Sequence, residues 1–496
     1  MNQTLAGASL HSHGSILAFL RRHAILLFIV ALAAFFRLSD LGRQSYWFDE
    51  AGVAVAASQP SPMQALEIAR EHVAVPPLDY LVAWCMGRFS LQEGWLRLPA
   101  ALWGTASVGL VYLFTVQLLG PWAAAVSGLL LAISPAQIFL SQELRAYSAW
   151  FFFYWLTTLF LYQAIQAPTP RRWIKVIIAA VLGSYFHFFT LLAWFNGLAF
   201  LFAAWSSYQP RPLPIRGFLA VSGVIGLLVM PGFLVFGSEP FIGYPQEWLQ
   251  LVPQIFTSLG WFPLFNEGIG YILGFFLLLL ACTGVTYAVS LRHMNLISLV
   301  VSAVFQIVLI TMSTVVKGYF FAWRQYFVLL PFTFLFAAYA LHNLVLQSTP
   351  LFTKKSVPTF NLRPVNRALA IILLLGLVAS SLIEIQVDRT YLKSNARQVT
   401  TLLQQTWQPG DQVWTIPWYE PLLFNFYLED IFADTRFSDK ITGYKFENLP
   451  DPASYPGNTF LITSSLSSPD ISFLFARGFQ PTTLNSGPHW VWVHSP

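Results

Sequence analysis

Charge is scarce in this sequence. Only 10% of its 496 residues are Asp, Glu, Lys or Arg, where a soluble globular chain carries about 25%. So little charge cannot cover a water-facing surface of ordinary chemistry. This excludes a soluble enzyme, a disordered chain and a nucleic-acid binder. Cysteine is nearly absent. Cys85 and Cys282 both lie in apolar stretches, which excludes a disulfide framework and a cysteine-based zinc site. The sequence holds no nucleotide fingerprint, Walker loop, H-E-x-x-H motif or internal repeat. What it has in quantity is apolar: 56% hydrophobic and 17% aromatic residues, with mean hydropathy +0.59. That composition belongs to a polytopic α-helical membrane protein. The net charge is +5, but in such a protein the placement of Lys and Arg matters more than their sum.

A membrane span needs roughly 20 apolar residues. The predicted spans are 22–38, 98–118, 122–140, 147–166, 172–188, 190–207, 215–237, 269–290, 294–316, 324–346 and 366–387, about eleven transmembrane helices. The first follows Arg21 and Arg22 and carries an Ala31-Leu32-Ala33 run, as a signal peptide does. Its apolar stretch continues to Leu38, so an uncleaved signal anchor is expected. Residues 76–90 are apolar but short and include Asp79 and Arg88. If they spanned, every later loop would change sides. Basic clusters such as Arg171-Arg172-Trp173-Ile174-Lys175 and Lys354-Lys355 would then lie outside, against the positive-inside rule. Residues 76–90 therefore read as an interfacial or re-entrant helix.

Two consequences follow for organisation. A membrane domain covers 1–388, and within it 39–96 forms one long outer loop with short interfacial helices. The segment 389–496 also lies outside. It is richer in Asp, Asn, Ser, Thr, Gly and Pro, and it alternates helix-like runs (Asn395–Trp407, Asp470–Phe479) with strand-like ones (Asp411–Trp418, Asn458–Leu466, His489–Ser495). A small C-terminal α/β extracytoplasmic domain is expected there. The whole is a multi-pass protein of the plasma (inner) membrane, with its active site and C-terminus on the extracytoplasmic side.

Charges near membrane depth mark functional candidates. Asp49 and Glu50 lie shortly after the first span, behind Tyr46-Trp47-Phe48. A carboxylate there, near the headgroups, can act as general base on an acceptor hydroxyl. Adjacent residues point in different directions, so one of the pair faces a given cavity, and Asp49 is favoured. An equal alternative is that Asp49 caps a helix starting at Glu50. Glu143 and Arg145 fall between two spans on the same predicted face. Arg145 suits a phosphate through its forked donors, and a snorkelling Arg paired with Glu143 is the alternative. Arg97 begins a span, as a phosphate ligand or an interfacial anchor. Lys317, Arg324 and Tyr326 form a late outer group whose two cations run against the positive-inside trend. His72 and His187 are weaker candidates, as are Glu239, Glu247 and Glu267 in the predicted outer loop 238–268. No His or acidic pair shows metal-ligand spacing.

These motifs in this order resemble the GT-C glycosyltransferases related to the protein O-mannosyltransferases, glycosyltransferase family 39 in the broad sense, and the lipid A aminoarabinose transferases. The resemblance rests on Trp47-Phe48-Asp49-Glu50, Pro76-Pro77-Leu78, Arg97-Leu98-Pro99, Glu143-x-Arg145-x-Tyr147 and Arg324-x-Tyr326, over nearly all of 20–390. Many relatives have His directly before the Pro-Pro pair and Tyr after the Leu, where this chain has Val75 and Asp79. The resemblance implies a GT-C membrane fold and transfer of a hexosyl or pentosyl group from a polyprenyl-phosphate-linked sugar, with inversion, to an acceptor glycan, lipid or protein. It assigns Asp49 as the base, with Glu50 beside it. It gives Arg97, Arg145, Arg324 and Lys317 the donor phosphate, with Glu143, Tyr147, Tyr326 and His72 in support. No cofactor and no metal are expected, because a phosphate monoester is already a competent leaving group. Membrane lipids are the other implied partner, and nucleic acid is not one. A lipid-linked sugar transporter or flippase is the alternative. It should show paired repeats with broken spans and mid-membrane charges, whereas the charges here gather at one face. A ligase or polymerase of larger lipid-linked glycans is a third reading.

Overall fold

A computed structural model describes residues 23–71, 76–206, 213–236, 267–317, 323–346, 363–390, 393–417, 419–434, 441–464, 466–484 and 488–496. The chain is mostly helical. Helix α1 (His23–Leu38) leads into three short helices, α2 (Phe48–Ser58), α3 (Pro62–Glu71) and α4 (Leu78–Gly87). Long helices follow: α5 (Glu93–Leu119), the pair α6 (Pro121–Ala132) and α7 (Pro135–Ser141), α8 (Tyr147–Gln166), α9 (Pro170–Phe186), α10 (Ala193–Ser206), α11 (Ile215–Phe236), α12 (Glu267–Ser290), α13 (Met294–Lys317), α14 (Leu330–Leu346) and α15 (Arg363–Thr390). Among the described residues six helices are long and apolar enough to cross a membrane, or seven if the bent α6–α7 pair is one span. Side chains such as Leu227, Leu234, Ile372 and Leu375 stand exposed on α11 and α15, which suits helices whose outer surface meets lipid rather than water. The protein is thus a multi-pass membrane protein. The predicted outer loop 238–268 is outside the described residues up to position 266.

Sequence chemistry explains several boundaries. Pro begins α6, α7 and α9, where its missing N–H is harmless. Gly120 joins α5 to α6 at φ 88°, a left-handed backbone that glycine adopts without strain. The stretch expected as one span at 122–140 is instead broken, with α6 and α7 bent by 58°. The break frees carbonyls at the end of α6, and Arg37 fills them. Its guanidinium donates to the carbonyls of Leu131 and Ala132 at 3.0 and 2.9 Å and to Gln137 Oε1 at 2.7 and 3.0 Å. Arg37 is fully buried. The cation is therefore spent on helix ends that would otherwise be unsatisfied in an apolar setting.

The segment 76–90 folds as the ten-residue α4, far short of a membrane's thickness. Beyond α15 come helix α16 (Ala396–Thr406) and a five-stranded sheet of β1 (Gln412–Ile416), β2 (Ile441–Gly443), β3 (Thr459–Ser464), β4 (Gln480–Pro481) and β5 (His489–His494), with α17 (Pro421–Phe426) and α18 (Ser468–Ala476) between strands. The strand order is β2-β1-β3-β5-β4. β1 runs parallel to β2 and β3, and β5 runs antiparallel to β3 and β4.

Alternation along the strands divides the two faces of this sheet. Trp414, Leu461 and Trp492 are register partners in a row, and they pack with Leu474 and Phe479 in a core of their own. Val413, Phe460, Ile462 and Val491 belong instead to a cluster that includes Tyr46, Ala51, Val53, Tyr80 and Leu96. The boundary expected at 388/389 therefore separates segments that share one core. Helix α17, between β1 and β2, packs on α2, which carries the acidic pair at its start.

Candidate active site

The site is built where α2, the 142–146 turn and the turn before α14 meet. Trp47 is the N-cap of α2, and its N–H donates to Glu50 Oε2 at 3.3 Å, one half of a capping box. Glu50, not Asp49, is thus the acid that satisfies a free amide at this helix start. Its other bonds seal it. Arg97 on α5 meets it with a fork, Nε to Oε1 at 2.8 Å and Nη2 to Oε2 at 2.6 Å. The Leu144 N–H adds a third bond to Oε1 at 2.6 Å. Glu50 is 0% exposed, so its carboxylate cannot reach an acceptor hydroxyl in this arrangement.

Arg97 is equally committed. Its remaining donors go to the carbonyls of Leu41, Gln44 and Ser45 at 3.3, 2.8 and 3.1 Å. A guanidinium has five N–H groups, and here each has a partner within the protein. This departs from the expected phosphate contact. The sequence shows an Arg near the interface, but whether its donors are already used is decided by the fold of 41–45.

Asp49 faces the other way and is about a third exposed, at 32%. Arg324 Nη1 donates to its Oδ2 at 2.6 Å, and Arg145 Nη1 donates to its backbone carbonyl at 3.0 Å. Tyr147 stands between the two arginines. Its ring lies 5.9 Å from the Arg145 guanidinium and 5.7 Å from that of Arg324, and its hydroxyl accepts from Arg324 at 3.5 Å. The Trp47 ring covers Arg324 from a further side at 4.8 Å. Aromatic faces hold guanidinium groups in place without consuming their N–H donors. Arg324 Nε is buried and makes no hydrogen bond.

Asp79 is half-buried on α4 and lines a small cavity with Arg145, Leu144 and Phe186. Burial pushes its carboxyl up to about 6, and Arg145 works against that rise. Glu143 is fully buried, and its Oε1 meets Lys393 Nζ at 3.3 Å. Tyr326 does not join this group. It is 0% exposed within the helical core, and its hydroxyl pairs with Thr311 Oγ1 at 2.7 Å. His187 stacks on Trp150 at 4.3 Å and accepts the Phe189 N–H. His72, Val75, Glu239 and Glu247 lie outside the described residues, as do the side chains of Lys317 and Glu267.

A neighbouring polar group without a sequence motif joins the first segment to the tail. The Tyr427 hydroxyl donates to Glu93 Oε1 at 2.6 Å and accepts the Tyr46 N–H at 2.7 Å, while Arg397 pairs with Glu93. The only sequence signal for it is an acid, Glu93, at the start of a span. Among the described residues no cluster of three His, Cys, Asp or Glu side chains has metal-binding proximity.

The arrangement can do definite chemistry. An accessible carboxylate is held beside two aromatic-braced guanidinium groups. That pairing can take a proton from a hydroxyl while stabilising negative charge on a neighbouring phosphate.

Comparison with known proteins bears on the fold. A family profile described as dolichyl-phosphate-mannose-protein mannosyltransferase matches residues 74–235. The crystal structure of ArnT from Cupriavidus metallidurans in the apo state is 14% identical, with 96% of this chain and 100% of that one covered and a TM-score of 0.56. The same protein bound to undecaprenyl phosphate gives 13% identity, 96% and 99% coverage and a TM-score of 0.54. The archaeal oligosaccharyltransferase AglB from Archaeoglobus fulgidus, in complex with an inhibitory peptide and a dolichol-phosphate, is 11% identical, covers 89% of this chain and 69% of its own, and has a TM-score of 0.54. No curated protein matches by sequence. The likeness extends over the tail as well as the helices, and the profile match takes in α4, Arg97 and Arg145. The chain has the GT-C membrane fold that ArnT and AglB also have, and its residues 74–235 match the dolichyl-phosphate-mannose-protein mannosyltransferase profile.

Proposed function

We propose that this protein transfers a single hexosyl or pentosyl group from a polyprenyl-phosphate-linked donor to an acceptor hydroxyl, with inversion at the anomeric carbon. The observation that carries the reading is the convergence of Asp49, Arg145 and Arg324, with Asp49 accessible and Glu50 sealed. The binding of undecaprenyl phosphate by ArnT and of a dolichol-phosphate by AglB supports the donor class.

In this reading Asp49 takes the proton from the acceptor hydroxyl as its oxygen attacks the anomeric carbon. The bond from that carbon to the phosphate oxygen breaks, and the electron pair stays on the lipid phosphate. Arg145 and Arg324 stabilise that charge, most strongly where water is excluded. Arg324 pairs with Asp49 before the donor arrives, which holds the carboxylate in place. An incoming phosphate then competes for the same guanidinium and leaves Asp49 freer to act as base. Arg97 is assigned to anchoring Glu50 rather than to the phosphate. Lys317 remains a further cation for the donor. The phosphate monoester leaves without help from a divalent ion.

We place the reaction on the extracytoplasmic face, with about eleven transmembrane helices, an uncleaved first helix and 389–496 as an extracytoplasmic α/β domain. The basic clusters at 171–175 and 354–355 support this orientation. The acceptor is a glycan, lipid or protein of the cell envelope.

The test uses purified protein given radiolabelled undecaprenyl-phosphate hexose or pentose and a membrane extract as acceptor. Asp49→Asn should lower transfer by about 10²–10⁴-fold while undecaprenyl phosphate still binds. Equal turnover in the two proteins would remove Asp49 as the base. A reporter at the C-terminus should read as external, and a cytoplasmic signal would overturn the orientation.

A further inference from the structure

The chain leaving α15 carries three cations at four-residue spacing, Arg389, Lys393 and Arg397. Two of them fasten this connector to the first segment. Arg389 donates to Ser39 Oγ at 3.0 Å, and its carbonyl accepts from Arg43. Arg397 pairs with Glu93, and its N–H reaches Ser45 Oγ at 3.2 Å. Lys393 does more. Its N–H joins the fastening by donating to Gln44 Oε1 at 2.9 Å. Its side chain continues past that segment, its ammonium 3.2 Å from the Phe139 ring centroid, to Glu143 Oε1 at 3.3 Å.

Glu143 lies two residues before Arg145, and its backbone carbonyl accepts the Arg145 N–H at 2.9 Å. Its carboxylate is 0% exposed, and Lys393 is only 10% exposed. Glu143 Oε2 is buried with no hydrogen bond, and so is Arg324 Nε. A buried carboxylate is tolerated when a cation neutralises it. Here that cation comes from the tail, some 250 residues away. Glu143 also acts electrostatically on Arg324, so without Lys393 its charge is left to compete for the arginines that face Asp49.

We propose that Lys393 is a positioning residue: by neutralising Glu143 it keeps Arg324 and Arg145 available to the phosphate of a polyprenyl phosphate. This rests on the reading of the site as a donor-phosphate site. In that reading the tail completes the site as well as covering it.

The test measures binding of undecaprenyl phosphate to purified full-length protein in nanodiscs, with thermal unfolding alongside. Lys393→Met should weaken binding about tenfold, on the scale of coupling between contacting charged residues. Lys393→Arg, which keeps the charge, should restore it. Lys393→Met/Glu143→Gln should bind within about threefold of wild type, because no unpaired carboxylate is left to engage the arginines. Arg397→Gln, which loosens the same connector at Glu93, should lower thermal stability and leave binding unchanged. A merely structural role predicts the opposite pattern, with both single variants melting early and the double variant no better than Lys393→Met. That pattern, or wild-type binding by a folded Lys393→Met, would overturn the proposal. If Lys393→Met does not fold, Glu143→Gln alone and with Lys393→Met carry the test. Equal binding by these two supports the proposal, and a further loss in the double variant refutes it. Absence of binding by the wild type would instead overturn the donor-phosphate reading beneath it.

Discussion

Arg97→Met separates two roles for this arginine that give opposite results. In the structure its five donated bonds end on Glu50, twice, and on the carbonyls of Leu41, Gln44 and Ser45. Removing the guanidinium leaves Glu50 with two backbone N–H contacts and an uncompensated charge in a site with no exposed surface. Breaking a buried pair from one side costs about 3–5 kcal/mol, a large share of the 5–15 kcal/mol or so that holds an ordinary domain. Arg97→Met should therefore melt well below wild type in detergent, followed by tryptophan fluorescence and size-exclusion profile. Adding Glu50→Gln removes the stranded charge, so the double variant should regain much of the lost stability. A folded Arg97→Met with wild-type melting and weakened undecaprenyl phosphate binding would refute the anchor and return Arg97 to the phosphate.

Two further substitutions probe α4. Burial raises the Asp79 carboxyl to about 6 against the opposing pull of Arg145, above an unfolded value of about 3.9. The folded chain thus holds a proton that the unfolded chain releases, and the contribution of Asp79 to stability falls as pH rises from about 4 through 6. Asp79→Asn should melt progressively higher relative to wild type from pH 4.5 to 7, and an opposite trend would refute the assignment. Gly87→Ala would set a Cβ 2.1 Å from the Ala57 carbonyl oxygen, forcing α4 off α2 at a cost of about 1–3 kcal/mol. Unchanged melting would show that the contact yields.

Much of this site was legible because charge is rare in the chain. Asp49, Arg145 and Arg324 stand out in apolar surroundings, and the structure brings them together across 275 positions. The roles of Glu50 and Arg97 were not legible. A guanidinium satisfied by its own fold looks, in sequence, like one waiting for a ligand. Tyr326 shows the same limit in reverse, since an aromatic two residues from Arg324 turns into the core rather than the site. The helices were readable from apolar run length, and Pro135 is a local signal for the α6–α7 break, but the distant Arg37 that satisfies the freed carbonyls was not readable. Lys393 left a faint trace, the four-residue spacing with Arg389 and Arg397, yet nothing local names Glu143 as its partner. The strands were visible by alternation, but alternation does not say that one face joins the core to which α2 and α4 also contribute.

That shared core has a consequence for how the molecule is made. Tyr427 lies 334 residues after Glu93, and 381 after Tyr46. At a synthesis rate of about 5–20 residues per second, the first segment waits on the order of tens of seconds for the partners that cover it. During that interval Glu93 lacks its hydroxyl donor and its arginine, and Tyr46 lacks the Phe426 and Tyr427 rings that pack on it. The site's geometry therefore becomes final only when the end of the chain has emerged. A chain stopped before Lys393 would hold every predicted catalytic residue and still lack a finished site.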